Sequence, residues 1–207
     1  MKLFYSPGAC SLSPHIVAQE AGIDLQLVKV DTKTKTIATD GDYWAINPKG
    51  YVPAIEAENG EVLTEGPAIV QYLADLRPGS NLAPANGTWA RTRLQETLNY
   101  ITSEIHKSYS PLFNPKTPEE VRTERKEYLR KRYALLDKQL EGRNYLFGDQ
   151  FTIADAYLFV VTNWARGVKL DLSDFTNLLA FQERVAARPA VQAAMRVEGL
   201  IQADKAA

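Results

Sequence analysis

Cys10 is the residue of this chain with the clearest chemical potential. It follows a short apolar run, Leu3-Phe4-Tyr5, and precedes the segment 12–21, which predicts a helix closed by Gly22. A thiol at the start of a helix lies near unpaired N–H groups and the positive end of the helix dipole, and both lower its pKa. A lone cysteine is more often buried and inert, but this position favours a nucleophilic role for Cys10.

The chain contains one cysteine, so it can form neither an intramolecular disulfide nor a multi-cysteine metal site. Its motif Cys10-Ser11-Leu12-Ser13 has the spacing of C-x-x-C with serine in place of the second thiol. Such a site can form a mixed disulfide but cannot resolve it internally. The sequence therefore predicts an outside thiol as the partner of Cys10, and it predicts no metal.

A β-hairpin is predicted between residues 54 and 64. Asn59-Gly60 separates two alternating runs, and both residues of such a turn take positive φ. Pro53, at the entry to the first strand, has no N–H to donate, and the bond before it can be cis at small cost. A cis bond would turn the N–H and C=O of Val52 outward, where an extended peptide could pair with them.

A helix is predicted to open at Glu65-Gly66-Pro67, directly after the hairpin, and to run to about Leu76. Proline suits the first turn of a helix, and the unpaired N–H groups of that turn suit a carboxylate. A γ-glutamyl end could dock there. Together with Cys10 and Val52, this helix start predicts a site for glutathione.

The order of predicted elements indicates two domains. A βαβ unit, a short helical stretch near Tyr43-Trp44 and a ββα unit make residues 1–78 a thioredoxin-like α/β domain, and residues 79–87 read as a linker. Residues 88–207 are predicted to be all-α, with about five helices forming a bundle. Helix starts are marked at Thr117 and Thr152, and Asp155 fits the reciprocal position of a capping box, so it is assigned a structural role.

Composition restricts the partners and the location. Of 207 residues, 45% are hydrophobic and 24% are charged, with a net charge of −1, so no overall field favours nucleic acid or an anionic membrane. The basic run 122–138 is interrupted by acidic residues and is interpreted as a solvated helix face. There is no apolar run of about 20 residues and no basic and apolar leader, so a cytosolic location is expected.

Histidine and lysine positions are ambiguous from spacing alone. His15 has no partner nearby in sequence and is interpreted as a packed or surface residue. His106, beside Lys107, could act as a donor or base toward sulfur, but a surface histidine is the more common case. Lys33 and Lys35 lie in a polar stretch that predicts an exposed loop.

Several motifs in the same order resemble the glutathione S-transferase family along essentially the whole chain, and the N-terminal segment through Ser11 is similar to the bacterial beta class. The motifs are Val52-Pro53, Glu65-Gly66, Asn47-Pro48-Lys49-Gly50, Asn99-Tyr100-Ile101, Glu104-Ile105-His106-Lys107 and Phe151-Thr152-Ile153-Ala154-Asp155-Ala156-Tyr157. No one of them is decisive, but their order and spacing together are specific to the family.

The resemblance implies glutathione as cosubstrate, no prosthetic group and a homodimer. It implies Cys10 and His106 as catalytic residues. The implied glutathione contacts are Cys10, Lys35, Val52, Glu65, Gly66, Asn99, Ser103, Glu104, Ile105 and His106, some of them possible contributions from the partner subunit. Lys33 competes with Lys35 for the glycine carboxylate. Secondary candidates are Tyr5, Ser11, Pro53 and Lys107, with core packing as the alternative for Tyr5 and helix capping for Ser11.

The predicted activity is attack of the glutathione thiolate on hydrophobic electrophiles bound in the interdomain cleft, near Tyr109, Phe113 and Trp164. One alternative is thiol-disulfide exchange or peroxide reduction through a mixed disulfide of Cys10. A non-catalytic protein that binds hydrophobic ligands is a further alternative. Cys10, Val52-Pro53 and Glu65-Gly66 argue against it, because binding of hydrophobic molecules needs none of them.

Overall fold

The computed structural model describes residues 1–37 and 41–202. By their internal contacts the residues form two compact units. One contains Met1–Leu82 together with the segment from Ala187 onward, and the other contains Ala83–Ala186. This division differs from the sequence-based limits, because the C-terminal segment groups with the first unit instead of with the rest of residues 88–207. Residues 79–82, assigned to the linker, also belong to the first unit.

The first unit contains a five-stranded sheet in the order β3-β2-β1-β4-β5. The strands are β1 (Lys2–Tyr5), β2 (Gln26–Asp31), β3 (Thr36–Ile37), β4 (Ala54–Glu56) and β5 (Val62–Thr64). β1 and β2 are parallel, as a βαβ unit requires, and the other pairs are antiparallel. The hairpin is therefore confirmed. β3 was not predicted: the end of the polar stretch 32–36 pairs with β2 instead of remaining a loop.

The helices of the first unit follow the predicted order. They are α1 (Leu12–Ala21), α2 (Tyr43–Ile46), α3 (Gly66–Leu76) and, from the C-terminal segment, α9 (Pro189–Val197), which packs against α1. Gly22 ends α1 with φ 63, a left-handed conformation that glycine adopts without a Cβ penalty. The thioredoxin-like order of βαβ, short helix and ββα is confirmed.

Alternation along β1 divides the core of the first unit between the two sheet faces. Leu3 and Phe4 are both buried and point to opposite faces. Phe4 joins a buried cluster with Val30, Tyr43, Val52 and Ala54. Val52, the residue on which the predicted site depends, is thus anchored by its side chain in the core.

The second unit consists of helices. They are α4 (Trp89–Tyr100), a π-helical turn (Ile101–His106), a 3₁₀ turn (Lys107–Tyr109), α5 (Ser110–Phe113), α6 (Glu119–Gln139), α7 (Ile153–Gly167) and α8 (Thr176–Ala186). Every residue from 153 to 162 is buried, as the apolar composition of α7 predicts. The sequence predicted about five helices after residue 88, and α4, α6, α7, α8 and α9 correspond to them. The π-helical turn and α5 were not predicted.

The two predicted helix caps have different outcomes. At α7, the Asp155 carboxylate accepts the N–H of Thr152 at 2.8 Å, as a capping box requires. At α6, the predicted cap by Thr117 is wrong, because Pro118 occupies the cap position and no side chain caps the helix. The N–H of Thr117 donates to the carbonyl of Asn114 instead. Among the described residues, none of the helices combines the length and the apolarity that crossing a bilayer requires.

Candidate functional site

Cys10 and Val52 meet in the first unit. The Cys10 thiol donates to the Val52 carbonyl at 3.2 Å, although the two residues are 42 positions apart. Cys10 is half-buried in the turn that leads into α1, where its carbonyl accepts the N–H of Ser13 at 3.1 Å. The thiol and the main chain predicted to bind glutathione therefore form one small cluster.

The loop before β4 is held in place by side chains from α2 and its end. The Tyr43 hydroxyl and the Asn47 side-chain amide both donate to the carbonyl of Tyr51, at 2.8 and 2.7 Å. Both residues are buried, so these bonds fix the main chain directly before Val52. The Val52-Pro53 bond is cis, as the sequence allowed. Asn47 belongs to a motif of the sequence, but its hydrogen bond to this loop was not predicted.

The two hydroxyl candidates next to Cys10 are occupied or poorly suited to ionise. Ser11 is buried, and its hydroxyl accepts the N–H of Ser6 at 3.1 Å and donates to the Ser6 carbonyl at 3.2 Å. The Ser11 hydroxyl therefore stabilises the β1–α1 loop through hydrogen bonds to Ser6, and it does not cap α1. Burial, and then the charge of Glu198, raise the pKa of Tyr5 above its ordinary value, which disfavours the phenolate.

Lys35 and Lys33 have different surroundings. The Lys35 ammonium donates to the Gly50 carbonyl at 2.7 Å and lies within 6 Å of the rings of Trp44 and Tyr51. Gly50 has φ 67, and a Cβ there would be 2.6 Å from Trp44, so the position requires glycine. Lys33 is exposed, and its main-chain N–H donates to Asp31. Of these two lysines, it is Lys35 whose ammonium lies beside the loop that carries Val52.

The start of α3 has an unusual backbone. Glu65 precedes the helix with φ 70, a conformation that costs a non-glycine residue about 1–3 kcal/mol and often marks a functional site. Its exposed carboxylate forms an ion pair with Lys49 at 2.7 Å, and Lys49 also donates to the Thr64 hydroxyl. α3 begins at Gly66, so the first-turn N–H groups lie where the sequence predicted a carboxylate. Lys49 was quoted in a motif but not identified as the partner of Glu65.

A buried pair in the same unit was not foreseen. The sequence offered no partner for His15, yet its Nδ1 lies 3.0 Å from Oε1 of Glu198, and both side chains are almost fully buried. The other oxygen of Glu198 accepts the N–H of Gly8 at 3.0 Å. The pair joins α1 and the β1–α1 loop to the C-terminal segment.

In the second unit, the predicted glutathione contacts lie in and next to the π-helical turn. Such turns are rare and frequently occur at functional sites, and no sequence signal announces this one. The Ser103 hydroxyl donates to the Asn99 carbonyl at 3.1 Å, and both residues are exposed. Ile105 is fully buried, so its side chain is not exposed to a ligand.

Glu104 is held by α6. The Tyr128 hydroxyl donates to its carboxylate, and Arg132 forms an ion pair with it at 2.9 Å. The Arg132 guanidinium also lies 4.5 Å from the centre of the Tyr128 ring. The main-chain carbonyl of Arg132 accepts a hydrogen bond from the hydroxyl of Tyr100. Burial raises the pKa of Tyr100 to about 12. The basic run on α6, interpreted as a solvated face, thus supplies the partners of Glu104.

His106 belongs to an aromatic cluster with Tyr109, Phe113 and Trp164. Trp164 contacts the other three rings edge-on, with centroids 4.9 Å from His106, 5.6 Å from Tyr109 and 5.5 Å from Phe113. Phe113 is 54% exposed, so the aromatic cluster extends to the surface of the unit. The structure brings together the three residues proposed for the electrophile. Lys107, the next residue, is exposed.

No group of three histidine, cysteine, aspartate or glutamate side chains within the described ranges is arranged to hold a metal ion. The polar groups gathered in the first unit are a thiol, main-chain donors and acceptors, lysines and an exposed carboxylate. These groups suit recognition of a charged peptide and stabilisation of a sulfur anion.

Both parts of the chain match domain families of known proteins. Residues 8–76 match the glutathione S-transferase N-terminal domain, and residues 100–189 match the C-terminal domain. Glutathione S-transferase GstA of Escherichia coli O157:H7 is 48% identical over 201 residues, which cover 97% of this chain and all of the relative.

Two solved structures each cover 97% of this chain and are themselves fully covered by it. A sphingomonad glutathione S-transferase complexed with glutathione is 45% identical with a TM-score of 0.93, and the bacterial beta class enzyme of Sphingomonas chungbukensis is 44% identical with a TM-score of 0.94. With both domains matched and a 48% identical relative covered from end to end, the chain belongs to the glutathione S-transferase family.

Proposed function

We propose that this protein is a transferase that conjugates the thiolate of glutathione to hydrophobic electrophiles, with glutathione as cosubstrate. The observation that carries the proposal is the contact between the Cys10 thiol and the Val52 carbonyl, with the Lys35 ammonium bound to the same loop. A thiol beside main-chain hydrogen-bonding groups and a cation is suited to a small thiol peptide with a terminal carboxylate.

Glutathione would bind to the first unit in an extended conformation. The main chain of Val52 would pair with the cysteinyl part of glutathione. The Val52 carbonyl would then accept a hydrogen bond from the ligand in place of the one from the Cys10 thiol. Lys35 would bind the glycine carboxylate. At the start of α3, the Gly66 N–H would bind the γ-glutamyl carboxylate and Glu65 would bind the amino group. Pro53 would shape this loop, without contacting the ligand itself.

The second unit would supply further contacts. Asn99, Ser103, Glu104 and the main chain of Ile105 are proposed for glutathione, with Lys107 as a secondary candidate, and some of these groups would act on the ligand of the partner subunit in a homodimer. His106 would face the sulfur. The accessible rings of the aromatic cluster, those of the exposed Phe113 and the half-buried Trp164, would bind the apolar part of the electrophile, and the fully buried Tyr109 would support them from the core.

In the reaction, glutathione would be held as the thiolate by hydrogen bonds and positive potential. The sulfur would attack the electrophilic carbon, a C–S bond would form, and the leaving group would depart with the electron pair of its bond. We place this activity in the cytosol, where reducing conditions keep the thiols of glutathione and Cys10 available.

A second candidate activity is favoured by the position of Cys10. Its half-buried thiol precedes α1, and the chain has no second cysteine to resolve a mixed disulfide. Thiol-disulfide exchange or peroxide reduction would proceed through a Cys10–glutathione disulfide, which a second glutathione would cleave, releasing glutathione disulfide. Mass spectrometry after incubation with glutathione disulfide tests this. A glutathione adduct on Cys10 that persists without reductant supports the pathway, and its absence rejects it.

A second copy of the chain is the partner that we propose for the first unit. An open groove of about 920 Å³ lies between the β4–β5 hairpin and α3, and its apolar lining includes the exposed side chains of Leu63, Tyr72 and Leu76. Glu61 and Arg77 also line it, so a two-fold copy could pair opposite charges across the interface. Sedimentation of the protein and of Tyr72→Glu tests this, since a dimer should dissociate when a charge enters the groove.

The two lysines provide the sharpest test of the glutathione site. Lys35→Ala should raise the glutathione dissociation constant about tenfold or more, because a charge-assisted hydrogen bond is removed. Lys33→Ala is the matched control and should bind glutathione like the native protein. Calorimetry with glutathione, together with a conjugation assay on an aryl halide, measures both. Equal effects of the two substitutions, or native binding by Lys35→Ala, would reject the assignment.

A further inference from the structure

Tyr157 is a buried residue of α7, and its side-chain hydroxyl points at His106. Its hydroxyl lies 2.6 Å from Nδ1 of His106, and its ring meets the imidazole edge-on with centroids 5.8 Å apart. Trp164 contacts the same imidazole edge-on at 4.9 Å. Packing therefore sets where the imidazole lies, and the Tyr157 hydroxyl decides which hydrogen bond Nδ1 makes.

The short contact favours the Tyr157 hydroxyl as the donor. Hydrogen bonds from a hydroxyl to an oxygen are typically about 2.7–2.8 Å long, whereas those from an N–H to an oxygen are about 2.9–3.0 Å, and the contact of 2.6 Å is closer to the first class. The Thr102 hydroxyl donates to the Leu98 carbonyl at 2.8 Å and lies farther from the Tyr157 oxygen, at 3.4 Å. The nearest strong acceptor for the proton of Tyr157 is therefore Nδ1 of His106.

We propose that Tyr157 is a positioning residue that donates its hydroxyl proton to Nδ1 of His106 and so holds the neutral imidazole with its proton on Nε2. A neutral imidazole carries one proton, so an accepting Nδ1 requires Nε2–H. His106 then presents a hydrogen-bond donor. In the proposed reaction this N–H would stabilise the sulfur anion, and the imidazole would take no proton from the thiol.

This inference rests on the proposed function for its effect on catalysis, but the hydrogen bond can be tested independently. The chain has two histidines, and their surroundings require opposite tautomers. His15 faces the carboxylate of Glu198 through Nδ1 at 3.0 Å, so its Nδ1 carries a proton. His106 faces a hydroxyl donor through Nδ1, so its Nδ1 carries none.

The test compares Tyr157→Phe with Tyr133→Phe. Each substitution removes one buried hydroxyl from the second unit and keeps the aromatic ring. The Tyr133 hydroxyl is hydrogen-bonded to the Tyr109 hydroxyl at 2.9 Å and not to a histidine, so Tyr133→Phe is the control. Long-range proton–nitrogen NMR correlations at alkaline pH report the tautomer of each histidine. Steady-state kinetics report kcat and the KM for glutathione.

The native protein and Tyr133→Phe should show the Nε2–H form of His106. Tyr157→Phe should show a mixture of tautomers and a kcat lower by about tenfold, with the KM for glutathione little changed. A native His106 protonated on Nδ1, or a Tyr157→Phe variant with native kcat, would overturn the proposal. Absence of conjugation in the native protein would instead reject the proposed function, and the tautomers would still decide the hydrogen bond.

Discussion

The two units both bury a carboxylate, and they satisfy it in different ways. In the first unit, Glu198 is bound by the buried His15 and by the N–H of Gly8. In the second unit, Asp155 accepts the N–H groups of Leu146 and Thr152 and the hydroxyl of Thr152, each at 2.8 Å. One carboxylate is thus held by a titratable side chain and the other by neutral donors.

The difference lies in sequence separation as much as in chemistry. The partners of Asp155 are within nine residues of it, whereas Glu198 is 183 residues from His15 and 190 from Gly8. A local cap needs only the formation of its own helix and the loop before it. The Glu198 pair needs the C-terminal segment to reach α1, so it forms only when the whole unit is folded.

The largest effect should follow from removing Glu198. Glu198→Ala leaves His15 buried with no acceptor, and breaking a buried pair from one side typically costs about 3–5 kcal/mol of unfolding free energy. Denaturant unfolding of the native protein, Glu198→Ala, His15→Ala and the double variant gives the coupling between the two residues. If the single losses simply add in the double variant, the pair does not act as a unit.

The pH dependence should distinguish the second carboxylate. Burial, partly offset by its hydrogen bonds, raises the pKa of Asp155 from 3.8 to about 6. Because the pKa is higher in the folded than in the unfolded state, protonated Asp155 stabilises the folded protein. This contribution to the unfolding free energy is complete below about pH 4 and is lost as pH rises through about 6. Relative to Asp155→Asn, the native protein should lose up to about 3 kcal/mol between these values.

Unfolding of both proteins in urea at a series of pH values measures this difference. The Asn variant is the matched control, because it keeps the size of the side chain and cannot ionise. A difference that is constant with pH, or that grows in the opposite direction, would show that hydrogen bonding outweighs burial at Asp155.

Asp155→Ala should have a smaller effect, of about 2 kcal/mol at neutral pH. It removes the acceptor of the Thr152 N–H at the start of α7 and leaves the N–H of Leu146 without this acceptor. Thermal unfolding measures the loss, and glutathione binding should stay native because the residue is placed at a cap. A variant of native stability that had lost catalysis would mean that Asp155 has a chemical role.

The smallest effect is expected for an ion pair that is exposed instead of buried. The side chains of Lys49 and Glu65 are 54% and 66% exposed, so solvent screens their attraction. Lys49→Ala should change the unfolding free energy by less than about 1 kcal/mol. A loss as large as that for Glu198→Ala would contradict the importance of burial in this comparison.

Much of the fold and part of the site follow from local signals. Gly22 predicts the end of α1, Asn59-Gly60 predicts the hairpin, and Asp155 predicts its own cap, because each depends on a few neighbouring residues. Thr117 shows the limit of such signals. Its capping pattern is present, but Pro118 occupies the cap position, so a match in spacing did not become a hydrogen bond.

The sequence by itself determined the order of the βαβ unit, the short helix and the ββα unit, and the residue types at the site: a thiol before α1, a proline before β4 and a glycine at the start of α3. Three contacts were decided only by the tertiary structure. Cys10 contacts Val52, Lys35 instead of Lys33 binds the loop before Val52, and His106 contacts the Tyr157 hydroxyl. The physical reason is that these contacts join residues far apart in the chain. They depend on how all the apolar side chains pack together, and no local pattern encodes that sum.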